Sequence, residues 1–343
     1  MNLNDLGWDD GFAAALEPHE GCIPARVASQ HRGGYDVLTE GGELRVRLSG
    51  RLRHEAASGA DLPAVGDWVA LREEAIQAVL ARRSAFVRKV AFSPTEAQVL
   101  AANLDSVFVV SALDGDLNLR RLERYLTLAW ESGASPVIVL TKADLCPDVG
   151  AALLEVEQVA LGVPVHVVSN VTGVGLDELA PYLAPAKTVA LLGSSGVGKS
   201  TLANRLLGDE LQATKEIAED GRGRHTTVAR QLIRLPGGAL LMDTPGLREV
   251  QLWDADEGIQ EAFSDIDELA AECRFNDCAH MHEPGCAVQA ALESGTLPAE
   301  RLRSYQALQG ELKHLAMKQD ARLRSEARKE RAAFARSLRK ASW

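Results

Sequence analysis

The segment Gly193-Ser194-Ser195-Gly196-Val197-Gly198-Lys199-Ser200 fits the phosphate loop G-x-x-x-x-G-K-[ST], and Asp243-Thr244-Pro245-Gly246 follows it. The element that would read a guanine base, Thr141-Lys142-Ala143-Asp144, precedes both. In ordinary GTPases it comes after them. This inverted order constrains the chain more than any other feature, and it predicts an α/β P-loop GTPase domain with circularly permuted motifs.

The phosphate loop lies between the apolar run Val189-Ala190-Leu191-Leu192 and an apolar helix from Leu202 to Leu207, the strand-loop-helix setting that the motif requires. Its glycines let backbone N–H groups from Gly193 to Thr201 close around phosphates at a helix N-terminus. Lys199 is expected to reach the β- and γ-phosphates, and the Ser200 hydroxyl to bind Mg²⁺. Asp243 ends a strand where the magnesium is held, usually through water, and Gly246 would offer its N–H to the γ-phosphate. Two strands around Pro236-Gly237-Gly238 form an antiparallel hairpin between loop and Asp-x-x-Gly. Together these elements make GTP with Mg²⁺ the expected ligand.

Base choice rests on Asp144. A carboxylate accepts hydrogen bonds from two donors on the guanine edge, and adenine offers no matching pair; a buried carboxylate left unpaired is costly. Lys142 would lie over the base plane, and Ser169-Asn170-Val171 would meet the guanine oxygen through backbone N–H groups. Where GTPases usually have Asn, Thr141 stands. Thr keeps a hydroxyl donor and loses the amide, which bears on nucleotide affinity and on how nearby loops are fixed.

Gly221-Arg222-Gly223-Arg224-His225-Thr226-Thr227 occupies the place of the first switch. One Thr there closes on Mg²⁺ and the γ-phosphate; Thr226 and Thr227 both qualify, and Thr227 is taken as the ligand. Leu247 follows Asp-Thr-Pro-Gly where many GTPases have a water-orienting glutamine. Leu cannot orient water, so hydrolysis needs another group, for which His225 is the natural candidate beside the reading that it is an idle loop histidine.

Cys273, Cys278, His280 and Cys286 form C-x₄-C-x-H-x₅-C. Three thiolates and an imidazole complete a closed tetrahedral site, which predicts one structural zinc ion. His282 is a rival ligand, and Asp277 could support one. Cys22 and Cys146 stand apart and read as small buried residues.

At 343 residues the chain exceeds one core, so two or three domains are expected. No apolar run is long enough for a membrane span, and the N-terminus has no basic region of the secretory kind, which predicts a cytoplasmic protein. Residues 1–21 form an N-terminal extension. Short alternating strands with glycine turns over 22–90 predict a small β-barrel of the OB type, whose arginines (Arg26, Arg32, Arg45, Arg47, Arg51, Arg53) either face water or meet backbone phosphates. Residues 91–254 are read as the permuted GTPase domain, with a helix around Asp177 to Leu183 and one antiparallel edge strand. Residues 255–343 are read as a mostly helical zinc domain. The net charge of −11 argues against indiscriminate nucleic-acid binding. Yet Arg322 to Lys340 holds eight basic residues against two acids, which fits a solvated helix face or an RNA-contacting tail.

These residues resemble the ribosome small-subunit-dependent GTPase A family over nearly the whole chain. The matching elements are Pro63-Ala64-Val65-Gly66-Asp67-Trp68-Val69, the permuted motifs, Gly223-Arg224-His225-Thr226-Thr227 and the Cys/His spacing. The resemblance implies an OB barrel, a permuted GTPase and a zinc domain. It implies a late maturation factor that binds the small ribosomal subunit and its rRNA and leaves when the subunit stimulates hydrolysis of GTP to GDP and phosphate. In that family the switch histidine is catalytic, which favours His225. A monomer is the simplest expectation. Two rival readings stay open: an assembly module that uses GTP as a structural brace, and an ATP-dependent P-loop enzyme of metabolism.

Overall fold

Period-two alternation over short stretches builds the first unit. The computed structural model describes residues 2–31, 33–90, 93–115, 117–208, 231–243, 259–260, 262–275, 278–281 and 283–319, with 88–90, 93–96, 243 and 311–319 described through their backbone only. Strands β1 (Ile23–His31), β2 (Gly34–Thr39), β3 (Gly42–Leu48), β4 (Trp68–Arg72) and β5 (Ala75–Val79) pair in the order β1-β2-β3-β5-β4, and β4 returns to β1, closing the ring. Only β3 and β5 run parallel. This is the expected OB-type barrel. Ala25, Val27, Tyr35, Val37, Val46, Val69, Leu71 and Ile76 fill it. A short helix α1 (Asp10–Leu16) precedes the barrel, and α2 (Gly50–Glu55), capped by Ser49, follows β3.

Beyond it, continuous apolar runs become buried parallel strands. They are β8 (Ser106–Ala112), β9 (Ser135–Thr141), β10 (Val165–Val167), β11 (Thr188–Leu192) and β13 (Leu240–Asp243), in the order β10-β9-β8-β11-β13. Every residue of β8 is buried. Helix α3 (Leu119–Glu131) starts on the Asn118 cap and buries Leu122, Leu126 and Ala129, which recur at helical spacing; α4 (Val149–Glu157) follows β9, and α5 (Lys199–Leu207) follows β11.

The helix expected near Asp177 is present as a 3₁₀ helix, Leu176–Leu183, with Pro181 inside it; proline lacks the N–H that an α-helix interior needs. One expectation is corrected. Strand β12 (Gln231–Arg234) does run antiparallel to β13, but it is not an edge: β1 of the barrel pairs with it at Ser29↔Gln231. The barrel thereby continues the GTPase sheet past β12. A hairpin of β6 (Ala85–Val90) and β7 (Ser93–Ala102), absent from the sequence reading, stands as its own two-stranded sheet. Alanines and a proline in β7 give little β-propensity, so its pairing comes from tertiary contact.

The barrel and the sheet are locked by close packing. Gly66 has φ +92, and a Cβ there would lie 2.1 Å from the Ala102 carbonyl oxygen and 2.8 Å from Met242 Cε, so only glycine lets the barrel approach so near. Asp67 beside it is fully buried; its carboxylate accepts from the Ala64 N–H (2.7 Å) and takes both arms of the Arg82 guanidinium (2.8 and 2.7 Å). Burial raises the Asp67 pKa against the pull of Arg82. Arg26 is buried with no carboxylate partner in contact among the described residues; it donates to the carbonyls of Leu6, Gly66 (3.3 Å) and Asn103 (3.1 Å) and to Thr188 Oγ1 (2.8 Å), and burial pushes its pKa down to about 10. The N-terminal segment takes part in this seam. Leu3, Leu6 and Phe12 are buried, Trp8 meets the Trp68 ring edge-on at 4.8 Å, Asp9 pairs with Arg83 (2.5 Å) and Asp5 with Arg234 (3.1 Å).

The C-terminal part is helical: α6 (Ser264–Ala271), α7 (Ala287–Glu293) and α8 (Ala299–Gln319). It docks on α3 through Arg301, which is 3% exposed. Arg301 bonds Glu123 of α3 (2.8 Å), both oxygens of Asp265 (2.6 and 2.7 Å) and the Ala262 carbonyl (2.9 Å). Among the described residues no helix is long and apolar enough to cross a membrane.

Candidate nucleotide and metal sites

The phosphate loop leaves the carboxyl end of β11, beside β8. On one side of these central strands lie β9 and β10, on the other β13 and β12. Connections diverge there and open a crevice, the usual ligand position of such sheets. Gly193 passes so close to β8 that a Cβ would lie 2.3 Å from the Val110 oxygen. Gly198, φ +92, ends the loop as the N-cap of α5, and Lys199 is its first helical residue. Lys199 Nζ folds back on the loop, donating to the carbonyls of Gly193 (2.8 Å) and Ser194 (2.5 Å). Ser195, Gly196, Ser200 and Thr201 are exposed, while Val197 is buried beneath the loop. The Ser194 hydroxyl is buried and has no partner among the described residues.

The tetrapeptide Thr141–Asp144 sits at the end of β9, against this loop. Thr141 is fully buried, and its Oγ1 lies 2.5 Å from the Val197 oxygen and 3.2 Å from the Ser111 oxygen. Its one proton thus ties the tetrapeptide to the phosphate loop without the usual amide. Lys142 adopts φ 59, a left-handed conformation, and its Nζ pairs with Asp114. Asp144 Oδ1 accepts the Ser169 hydroxyl at 2.5 Å, and Ser169 Oγ in turn accepts the Thr172 N–H at 3.1 Å. The expectation of a buried carboxylate is corrected: Asp144 is exposed, no described residue closing over it. Asn170 is 7% exposed; its Nδ2 reaches the Gly198 oxygen at 3.4 Å, and its Oδ1 is buried without a partner among the described residues.

The structure therefore brings Thr141, Lys142, Asp144, Ser169, Asn170 and Val171 to one end of the sheet with the loop Gly193–Ser200. The Asp243 backbone ends β13 two strands from β8. His225, Thr226, Thr227, Gly246 and Leu247 lie outside the described residues, as do Asp277, His282 and the basic stretch from Arg322. Two participants escaped the sequence reading. Asp114 follows β8 at the carboxyl end of a central parallel strand, a position that could have flagged it. Arg205, on α5, gave no signal.

The second site is built by the loops around α6 and α7. Ligand atoms of Cys273, Cys278, His280 and Cys286 all lie within 4.8 Å of one another. Cys273 Sγ and Cys286 Sγ are 3.8 Å apart, and His280 Nδ1 is 3.7 Å and 3.5 Å from them. A tetrahedron with Zn–S of about 2.3 Å and Zn–N of about 2.0 Å has S···S edges of about 3.8 Å and S···N edges of about 3.5 Å. The donor set fits that geometry. The Gln289 amide donates to the His280 carbonyl at 2.5 Å, holding a residue whose φ is 56. Desolvation and the neighbouring thiols push the Cys278 thiol up to about 11, whereas hydrogen bonds from the Val288 and Ala287 backbone help bring the Cys273 thiol below its usual range. Cys22 and Cys146, expected to be buried, are half-buried.

Residues 79–253 match the family described as RsgA GTPase. A second match, to ABC transporter, spans residues 176–341, which include the phosphate loop but not residues 141–144. A protein of Lactiplantibacillus plantarum named "Small ribosomal subunit biogenesis GTPase RsgA 2" is 50% identical over 92% of this chain and 90% of its own length. The Opitutus terrae protein named "Small ribosomal subunit biogenesis GTPase RsgA" is 51% identical over 93% and 92%. Among solved structures, YjeQ from Thermotoga maritima matches with a TM-score of 0.63 and 27% identity over 85% of this chain and 98% of that one. YloQ, described as a circularly permuted GTPase, matches with 0.61 and 26% over 87% and 97%.

Proposed function

The chain belongs to the RsgA GTPase family and hydrolyses GTP, and from that premise we propose that it acts in maturation of the small ribosomal subunit, binding the subunit and its rRNA and leaving when GTP is hydrolysed. The observation that carries this reading is the meeting of the permuted base-reading residues with the phosphate loop, tied by Thr141 to Val197. Asp144 and the Ser169–Val171 loop select guanine; Lys142 covers the base. Backbone N–H groups of Gly193 to Thr201 hold the phosphates, and Lys199 exchanges its loop carbonyls for the β- and γ-phosphate oxygens. Ser200, Asp243 and Thr227 are the residues that would hold Mg²⁺, whose charge offsets the negative charge at the terminal phosphate. His225 orients the attacking water in place of the glutamine that Leu247 lacks, and Gly246 meets the γ-phosphate.

Cys273, Cys278, His280 and Cys286 hold one structural zinc. Metal analysis should then find one equivalent per chain, and Cys286→Ser should lose it and expose the 273–286 segment to proteolysis. Retained zinc in that variant would reassign the ligand set, with His282 the first candidate.

The barrel and the metal-binding segment grip rRNA together in the cytoplasm, and the short connection after Gly246 carries the nucleotide state between them. Turnover is tested by adding purified small subunits to the protein. We expect GTP hydrolysis to rise on addition, and the rise to vanish in His225→Ala with GTP binding retained. Subunit binding without any stimulation would favour the structural-brace reading instead.

A further inference from the structure

We propose that Arg205 is a positioning residue for guanine recognition, which aims the base-reading loop from the phosphate-binding helix. The inference rests on the base-reading role given above to residues 169–171. Arg205 stands in the last turn of α5. Its Nε donates to the Asn170 carbonyl at 2.8 Å and its Nη2 to the Val171 carbonyl at 3.1 Å. Two successive carbonyls are thus drawn to one side by a planar fork, a geometry that an ammonium cannot reproduce.

The consequence follows from peptide planarity. In a trans peptide the N–H points opposite to the C=O, and no cis peptide occurs among the described residues. The N–H groups of Val171 and Thr172 therefore point away from α5. The Thr172 N–H reveals what lies there: it meets Ser169 Oγ at 3.1 Å, and that hydroxyl donates to Asp144. Arg205 accordingly turns the Val171 N–H toward the side on which Asp144 stands. No acceptor for the Asn170 or Val171 N–H occurs among the described residues, whereas those of Thr172 and Gly173 are satisfied within the loop. A purine oxygen placed against Asp144 would find those donors already aimed. The Asn170 amide adds a second tie, to the Gly198 oxygen at the foot of the same helix. Base reading and phosphate binding are joined through α5, a link that the hydroxyl of Thr141 makes from the other strand.

The test compares GDP and ADP, because adenine carries an amino group where guanine carries the oxygen. Kd values for both are measured by displacement of a fluorescent GDP analogue from the full chain, unaltered and as Arg205→Ala and Arg205→Lys. Arg205 is exposed, which limits the effect. The expected result is a loss of about tenfold in GDP affinity in Arg205→Ala with ADP unchanged, so the GDP-over-ADP ratio falls about tenfold. Arg205→Lys should fall between. A ratio preserved in Arg205→Ala, including the case where both nucleotides weaken alike, would overturn this inference while leaving the base-reading role of Asp144 intact. Equal affinity of the unaltered protein for GDP and ADP would instead overturn that role and this inference with it.

Discussion

Arg301→Ala should destabilise the protein by about 3–5 kcal/mol, the cost of leaving a buried charge without its partner. Arg301 and Glu123 are each 2% exposed in their side chains, and Asp265 completes the cluster. Removing the guanidinium leaves the buried Glu123 carboxyl with the Ser304 side chain and no cation, and leaves the Ala262 carbonyl without its donor. The urea midpoint reports the loss. Burial already raises the Glu123 pKa in the intact protein. The sign with pH follows: a folded pKa above the unfolded value gives stability that is present at low pH and lost as pH rises through the folded pKa. Without Arg301 the carboxyl pKa rises further, so the defect should be largest at neutral pH and shrink on acidification. Adding Glu123→Gln should recover part of it at neutral pH. An unchanged midpoint would mean that the C-terminal helices dock by apolar contact alone.

Asp144→Asn should cut GDP affinity about 100-fold, equivalent to about 2.7 kcal/mol, and create affinity for xanthosine diphosphate. The carboxylate accepts from two guanine donors; an amide offers one acceptor and turns its NH₂ group on the other donor. Xanthine carries an oxygen at that position and accepts from the amide. Because Asp144 is exposed before the base arrives, the substitution should leave folding unaltered. A variant that holds GDP as tightly as its parent would remove Asp144 from base recognition.

How much of this could be read from the chain depended on whether a signal was local. The phosphate loop and β11 were legible because a buried parallel strand is a continuous apolar run, here Val189 to Leu192, ending at a glycine. The barrel was legible from alternation, as in β2, where burial follows every second residue. Long-range features were not. Nothing near Ser29 or Gln231 announces that β1 caps β12. The role of Gly66 lies in its distance to Ala102 and Met242, not in its neighbours. The N-terminal residues read as an extension because Leu3, Leu6 and Trp8 reveal their purpose only against Trp68 and Arg26. Within the site, Thr141 was legible as a departure from the usual Asn. That its hydroxyl reaches Val197 required the fold, and Arg205 required it entirely.

Control of GTP hydrolysis in this permuted pocket by the small ribosomal subunit is tested by turnover of GTP and ATP by the same preparation, each with and without purified subunits. GTP turnover should rise when subunits are added, and ATP turnover should stay at background in both conditions. ATP hydrolysed as fast as GTP, or GTP turnover indifferent to the subunit, would contradict it.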